Sequence, residues 1–285
     1  MKTLVIVALY VVLAPILGGI LAGIDRKISA RMQGRFGPPI MQPFYDVFKL
    51  LEKESIAVNR FQNFYIFCFL IFAIVTGALF FAGFDILLVI FALTLAGTFF
   101  ILAAYSANSP YSHLGADREL LQMMSYEPMV IITAIGMYMV TKSFNVADMA
   151  AYSQPLAYYI PGIFIGFLYI LTIKFRKSPF DLSSSHHAHQ ELVRGISTEL
   201  SGRELAMIEV AHWYENIFLL GFVYLFFAFN PILAVVLALA TYFLEILIDN
   251  TCARLKWQQM LNYSWIVAVT LGMINLAVLY IMEIV

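Results

Sequence analysis

Eight apolar runs constrain the fold of this chain more than any other feature of its sequence. They lie at about residues 3 to 24, 61 to 83, 85 to 106, 128 to 141, 158 to 174, 205 to 229, 232 to 248 and 262 to 282. An apolar helix needs roughly 17 to 25 residues to cross the hydrocarbon core. In that solvent each backbone polar group must be satisfied within the spanning segment, which selects helices. Hydrophobic residues make up 62% of the chain and charged residues 12%, against roughly 25% charged in soluble domains. A water-soluble globule is therefore excluded. The expectation is an all-α polytopic membrane protein of about eight transmembrane helices, with residues 1–285 forming a single transmembrane domain. The fourth run is short; Leu120 to Tyr126 are expected to lengthen it, with Pro128 kinking the helix. The first run lacks a small-x-small cleavage site and continues into Asp25-Arg26-Lys27, so it reads as a retained span rather than a signal peptide.

Fifteen of the seventeen Lys and Arg residues fall in the odd-numbered loops, Lys2 and Lys142 being the exceptions. The positive-inside bias places these loops in the cytoplasm and both termini outside. The even connections near Gly83 to Asp85 and at Asn230-Pro231 are minimal. Those after the first and fifth spans are far longer than the usual roughly 2 to 8 residues, so function is expected to face the cytoplasm. In the first of these long loops Phe44, Val47, Phe48 and Leu51 recur at helical spacing opposite Asp46, Lys49, Glu52 and Lys53. That pattern describes an amphipathic helix lying in the interface plane, with surface anchoring as its plainest role.

A formal charge of −1 gives no basic surplus for nucleic acid. The two cysteines, Cys68 and Cys252, cannot supply the four thiolates of an iron-sulfur cluster. No phosphate-binding glycine loop is present, which argues against a nucleotide-driven pump. Ionisable groups in the spans carry more information, since each costs about 2.5 to 3.5 kcal/mol at mid-membrane on insertion scales. Glu209, His212 and Glu215 lie three residues apart on one helix wall and have the chemistry of a proton relay. Glu245 and Asp249 are one turn apart on the seventh span. Glu127 precedes Pro128, where stabilising a helix N-terminus is the plain alternative. His186, His187 and His189 could ligate a metal, but they lack an i, i+4 face and a companion cysteine, so they read as a docking or proton-conducting surface. Ser183 to Ser185 beside His186 and Asp181 show no nucleophile elbow, and no catalytic residue is assigned.

Several ordered segments resemble the membrane subunit with which respiratory complex I builds its quinone chamber. They are Asp25-Arg26-Lys27, Arg31-Met32-Gln33, Arg35-Phe36-Gly37-Pro38, Gln42-Pro43, Ser125-Tyr126-Glu127, Pro179-Phe180-Asp181-Leu182, Glu191-Leu192-Val193, Thr198-Glu199-Leu200-Ser201-Gly202 and Arg254 to Gln259. The resemblance runs through nearly the whole chain. Three departures stand out: a first loop about six residues shorter around Pro38 to Met41, Ser183 to His189 with roughly three extra residues in place of the acidic stretch after Asp181-Leu182, and His212 where the quinone enzymes would place a glutamate. Ser-Pro-Phe-Asp-Leu, His-His-Ala-His-Gln-Glu and Glu-Val-Ala-His-Trp-Tyr-Glu-Asn are similar to the anchor subunit of Ech-type energy-converting nickel-iron hydrogenases.

That resemblance implies a complex in which reduced ferredoxin is oxidised, hydrogen is evolved, and protons or sodium ions are moved outward. The nickel-iron centre and iron-sulfur clusters would sit in partner subunits, and this chain would hold no cofactor and no metal. Implied partners are the large and small hydrogenase subunits on the cytoplasmic side, an antiporter-like membrane subunit, ferredoxin indirectly and the lipid bilayer. Arg26, Arg31, Arg35, Asp181, His186, His187, His189, Glu191 and Glu199 become docking and coupling candidates. Glu127, Glu209, His212, Glu215, Glu245 and Asp249 become proton- or ion-path candidates. The alternatives are the quinone-chamber subunit of a complex I-type oxidoreductase and a stand-alone ion channel or exchanger.

Overall fold

The structure is a computed structural model that describes residues 2–55, 59–183 and 194–284. Within them the chain is all helix, without strands. The elements are α1 (Lys2–Met32), α2 (Gln42–Glu52), α3 (Arg60–Phe81), α4 (Ile86–Tyr105), α5 (Pro110–Thr141), α6 (Val146–Ala150), α7 (Leu156–Tyr159), α8 (Pro161–Lys174), α9 (Gly202–Leu225), α10 (Pro231–Thr251), α11 (Trp257–Val267) and α12 (Ile274–Ile284). A 3-10 turn at Gly195–Ser197 precedes α9, and a π-helical stretch, Ala268–Met273, joins α11 to α12.

Among the described residues six helical stretches are long and apolar enough to cross a membrane: Thr3–Met32, Phe61–Phe81, Ile86–Tyr105, Pro110–Thr141, Pro231–Thr251 and Trp257–Met282. The other two expected spans differ for physical reasons. The fifth breaks at Ile160, ahead of Pro161, leaving α8 with 14 residues, about 21 Å of helix. The sixth, α9, is 24 residues long but carries Arg203, Glu204, Glu209 and Glu215.

The fourth span requires a correction. The helix begins ten residues before the expected extension at Leu120, at Pro110, so Pro128 lies deep inside a 32-residue α5. Glu127 is therefore well within the helix, and the helix-N-terminus explanation for it does not hold. Ser109 in extended conformation, followed by Pro110 in the first turn, is the usual opening of a helix.

With lipid on the outside, packing depends on close approach more than on exclusion of water. Small residues on α4, including Ala92, Ala96, Ala103 and Ala104, are buried. Phe80, Phe167, Phe218, Phe222 and Phe226 fill the main core between α3, α8 and α9. The α9 helix packs against α1, α2, α3 and α10, which makes it the central post on which the polar residues are hung. Gly202 opens it with φ +57°, and a Cβ there would stand 2.7 Å from the Glu54 carbonyl oxygen. Glu204 in its first turn accepts a hydrogen bond from Ser55, so the segment after α2 is fastened to the start of α9.

The connections collect at two ends. At one, Ile86 N–H donates to the Phe144 carbonyl at 2.9 Å, Val146 N–H to Phe84 at 3.0 Å and Ala157 N–H to Phe226 at 3.2 Å. At the other lie the basic loops. There Arg26 meets Asp46 at 2.7 Å, tying α1 to α2, and Arg254 meets Asp181 at 2.7 Å. Leu255 N–H donates to Pro179 at 3.1 Å, and the Gln33 amide donates to Asn250 at 3.1 Å.

Candidate functional site

The basic-loop end holds two charged clusters, and consecutive residues after α8 enter one each. Arg176 carries φ +51°. It follows the α8 C-cap residue Phe175, in the left-handed position that usually takes glycine. Its N–H donates to Ile173 at 3.0 Å, and the N–H of Lys177 donates to Thr172 at 3.3 Å, the bond pattern that closes a helix C-terminus. A side chain with a Cβ in this conformation costs about 1–2 kcal/mol relative to the right-handed region. The guanidinium explains what that strain supports.

Arg176 Nη2 lies 2.8 Å from Glu119 Oε1 on α5, and Nη1 lies 3.6 Å from Glu215 Oε2 on α9. One guanidinium fork thus bridges two carboxylates, a geometry that lysine cannot reproduce. Burial opposes the Arg176 charge, but Glu119 and Glu215 outweigh it and hold its proton above the usual arginine value. The Ser183 hydroxyl donates to the other Glu119 oxygen. Arg176 also stands 5.3 Å from the Phe100 ring centre, and Lys174 stands 4.5 Å from that of Tyr126. The Gln122 amide holds the following loop by donating to the Phe180 carbonyl, and Arg118 donates to Leu182 at 3.4 Å.

Lys177 turns the other way. Its Nζ lies 2.8 Å from Asp25 Oδ2 on α1 and 4.9 Å from the ring centre of Tyr242 on α10. Asp249 accepts from the Ser178 N–H at 2.9 Å. Ser29 donates to Asp25 at 3.3 Å and accepts from Asn250 at 3.0 Å. Glu245 is 1% exposed, and neither of its oxygens has a hydrogen-bond partner among the described residues.

Of the path candidates, Glu215 enters the Arg176 cluster while Glu245 and Asp249 enter the Lys177 cluster. His212 is set between the rings of Phe69 and Phe100, 5.9 Å from each centre, and Phe100 in turn faces Arg176. Glu209 is half-buried on α9, and Glu127 is half-buried on α5. Of the loop candidates, Arg26 and Asp181 are paired as described; Arg31 lies 4.9 Å from the exposed Phe36 ring, and Arg35 donates to Gln33 at 2.9 Å. Glu199 is half-buried just before α9. His186, His187, His189 and Glu191 lie outside the described residues. Among the described residues no group of three or more His, Cys, Asp and Glu is placed to hold a metal ion.

Sequence reasoning missed Asp25 as an ion-pair partner, and Glu119, Lys174, Arg176 and Lys177 altogether. The Lys-Phe-Arg-Lys run reads as topogenic charge, and Glu119 falls in a stretch that reads as loop. Once α5 is extended to Pro110, Glu119, Gln122 and Tyr126 fall on one helix face, the pattern that could have revealed them.

The chain is thus an apolar helical bundle of membrane-spanning length with paired charges at its basic-loop end. The NADH dehydrogenase family pattern matches residues 3–280. This chain belongs to that family. It is 32% identical to the H subunit of NADH-quinone oxidoreductase from Bacillus cytotoxicus, over 96% of this chain and 91% of the relative. It is 29% identical to the H subunit of F420H2 dehydrogenase from Methanosarcina acetivorans, over 89% and 85%. Hydrogenase-4 component C of Escherichia coli is 26% identical, over 86% of each chain. A chain of the membrane-bound sulfane sulfur reductase, an archaeal respiratory membrane complex, superposes with a TM-score of 0.83 at 22% identity, over 96% of this chain and all of that one, which establishes the shared fold.

Proposed function

We propose that this chain is the membrane anchor and ion-translocation coupling subunit of an energy-converting nickel-iron hydrogenase that oxidises reduced ferredoxin and evolves hydrogen. In this reading the chain crosses the cytoplasmic membrane eight times as one transmembrane unit, with both termini outside. The basic loops seat the large and small hydrogenase subunits, whose nickel-iron centre and iron-sulfur clusters carry the electrons, and an antiporter-like subunit moves the protons or sodium ions. The observation that carries the coupling role is the pair of charged clusters entered by Arg176 and Lys177. They link α5 and α9 on one side to α1 and α10 on the other, directly beneath the loops that would meet a partner. Charge changes delivered to those loops therefore act on buried carboxylates at short range, where the low dielectric strengthens every interaction. His212 in place of the glutamate of quinone enzymes, the shortened first loop and the likeness to hydrogenase-4 component C favour the hydrogenase assignment.

The test is purification of the tagged chain with its neighbours. Soluble subunits carrying nickel, iron and sulfide, with ferredoxin-dependent hydrogen evolution, are expected. In vesicles, Glu215→Gln and His212→Ala should leave hydrogen chemistry with artificial donors largely intact while weakening proton-linked activity. Full ion transport by both variants would remove these residues from the path. A metal-free preparation that still moves ions would instead make the chain a stand-alone channel or exchanger. A second reading, the quinone-chamber subunit of a complex I-type enzyme, is favoured by the 32% identity to the Bacillus cytotoxicus NADH-quinone oxidoreductase chain. Quinone-dependent activity blocked by quinone-site inhibitors would decide for it.

A further inference from the structure

We infer that Lys177 is a positioning residue with two resting places, Asp25 and Glu245, and that it passes from the first to the second when Glu245 ionises. The inference deepens the coupling role proposed above and rests on that reading for its purpose, but not for its test. Its basis is an asymmetry in the Lys177 cluster. Asp25 has the ammonium at 2.8 Å as an ion pair, although Nζ makes no hydrogen bond among the described residues, and it accepts from a serine hydroxyl at 3.3 Å. Glu245, buried and on the adjacent helix, has no hydrogen-bond partner among the described residues. A carboxylate in that setting is strongly unfavourable when ionised, and the proposed cycle begins with Glu245 protonated.

Lys177 is already placed to answer it. Tyr242 and Glu245 are three residues apart and share one face of α10, and the Lys177 ammonium stands over the Tyr242 ring. The charges that act on Glu245 are Lys177 and Asp249. The α1 helix presents Asp25, the segment after α8 presents Lys177, and α10 itself adds Tyr242 and Asp249. The α9 helix meets α10 through Leu220, its own Glu215 being held by Arg176. Lys174 is turned toward Tyr126 on α5.

The step balances without any further reagent. Glu245 releases one proton to water at the basic-loop end and becomes a carboxylate. The Lys177 ammonium keeps its charge, leaves Asp25 and pairs with Glu245. Asp25 stays ionised, with the Ser29 hydroxyl and the adjoining solvent to stabilise it. Reprotonation of Glu245 returns Lys177 to Asp25. A long, flexible side chain with a compact charge suits this movement, whereas the planar Arg176 fork is fixed between its two partners.

The experiment uses difference infrared spectroscopy of the full chain in lipid nanodiscs, following the protonated-carboxyl stretch through a pH titration. The Glu245 band is the one lost in E245Q. Removing the competing anion with D25N should bring Lys177 onto Glu245 and lower the midpoint of that band by about one pH unit or more, a tenfold change in the protonation equilibrium. Removing the cation with K177Q should raise the midpoint by a similar amount. A D25N midpoint that stays put or rises would overturn the proposal, as would a K177Q midpoint equal to that of the wild type, so either variant suffices if the other fails to fold. If the midpoints move as expected while ion transport in the parent complex is unchanged, the shuttle stands and its coupling role falls.

Discussion

Arg176 concentrates the energetics of the site in one side chain. It occupies a backbone conformation in which glycine is the easy choice, and it spans two carboxylates on different helices. Removing it leaves Glu119 and Glu215 buried together without their cation, which costs about 3–5 kcal/mol when a buried pair is broken. Arg176→Met should therefore lower the unfolding midpoint of the detergent-solubilised chain markedly in denaturant titrations. Arg176→Lys should recover part of the loss, because the charge returns but the two-pronged geometry does not. Equal stability of the methionine variant and the wild type would show that the bridge carries no net weight. Little of this was legible in the sequence. The partners of Arg176 lie 57 and 39 positions away along the chain, and an acid or a base in a single sequence does not announce which distant charge it will meet. Glu215 could be singled out because an apolar run makes a carboxylate conspicuous; Arg176, in a basic loop, looked like every other topogenic charge.

At the scale of elements, the length of the apolar runs marked each of the long helices at least in part, and its failures have specific causes. The amphipathic α2 was legible because its apolar positions recur at helical spacing; Val47 is buried, and the Phe44 ring packs at a tilt against Trp213 with centres 5.2 Å apart. The first half of α5 was not, because His113, Asp117, Arg118 and Glu119 interrupt the apolar run although they do not interrupt the helix. The π-helical stretch in the last span leaves no mark in composition at all. One contact in α5 gives a test of how the long loop is seated. A Cβ on Gly115 would fall 2.3 Å from the Ile196 backbone nitrogen, so only glycine lets the Gly195–Ser197 turn rest on this helix. Gly115→Ala is expected to lift that turn and speed tryptic cleavage after the exposed Arg194 by about tenfold, the factor given by 1.4 kcal/mol of local destabilisation. Unchanged cleavage would mean that the turn is held from elsewhere.

For the whole molecule, the division of the connections between two ends follows the division of charge. The short turns at 81–86 and 141–146 hydrogen-bond to one another, while the segments carrying Asp25, Arg176, Lys177, Asp181 and Arg254 meet at the opposite end. This grouping was legible, since the count of Lys and Arg by loop already separates the two sets. The orientation it implies has a direct check in Cys252, which is exposed at the end of α10 on the basic side. With Cys68 replaced by serine, a membrane-impermeant maleimide should label Cys252 in inverted vesicles and spare it in intact cells with a permeabilised outer layer. Labelling from the outer face would reverse the assigned orientation and move the proposed partner surface to the other side.

The Arg176–Lys177 peptide unit has a mechanical consequence. Its two side chains grip different helices, one reaching α5 and α9 and the other α1 and α10, so both grips hang on one short strip of backbone. A neighbour that displaced this strip would shift both grips in one movement. Two sites that share no atom would then be obliged to keep time.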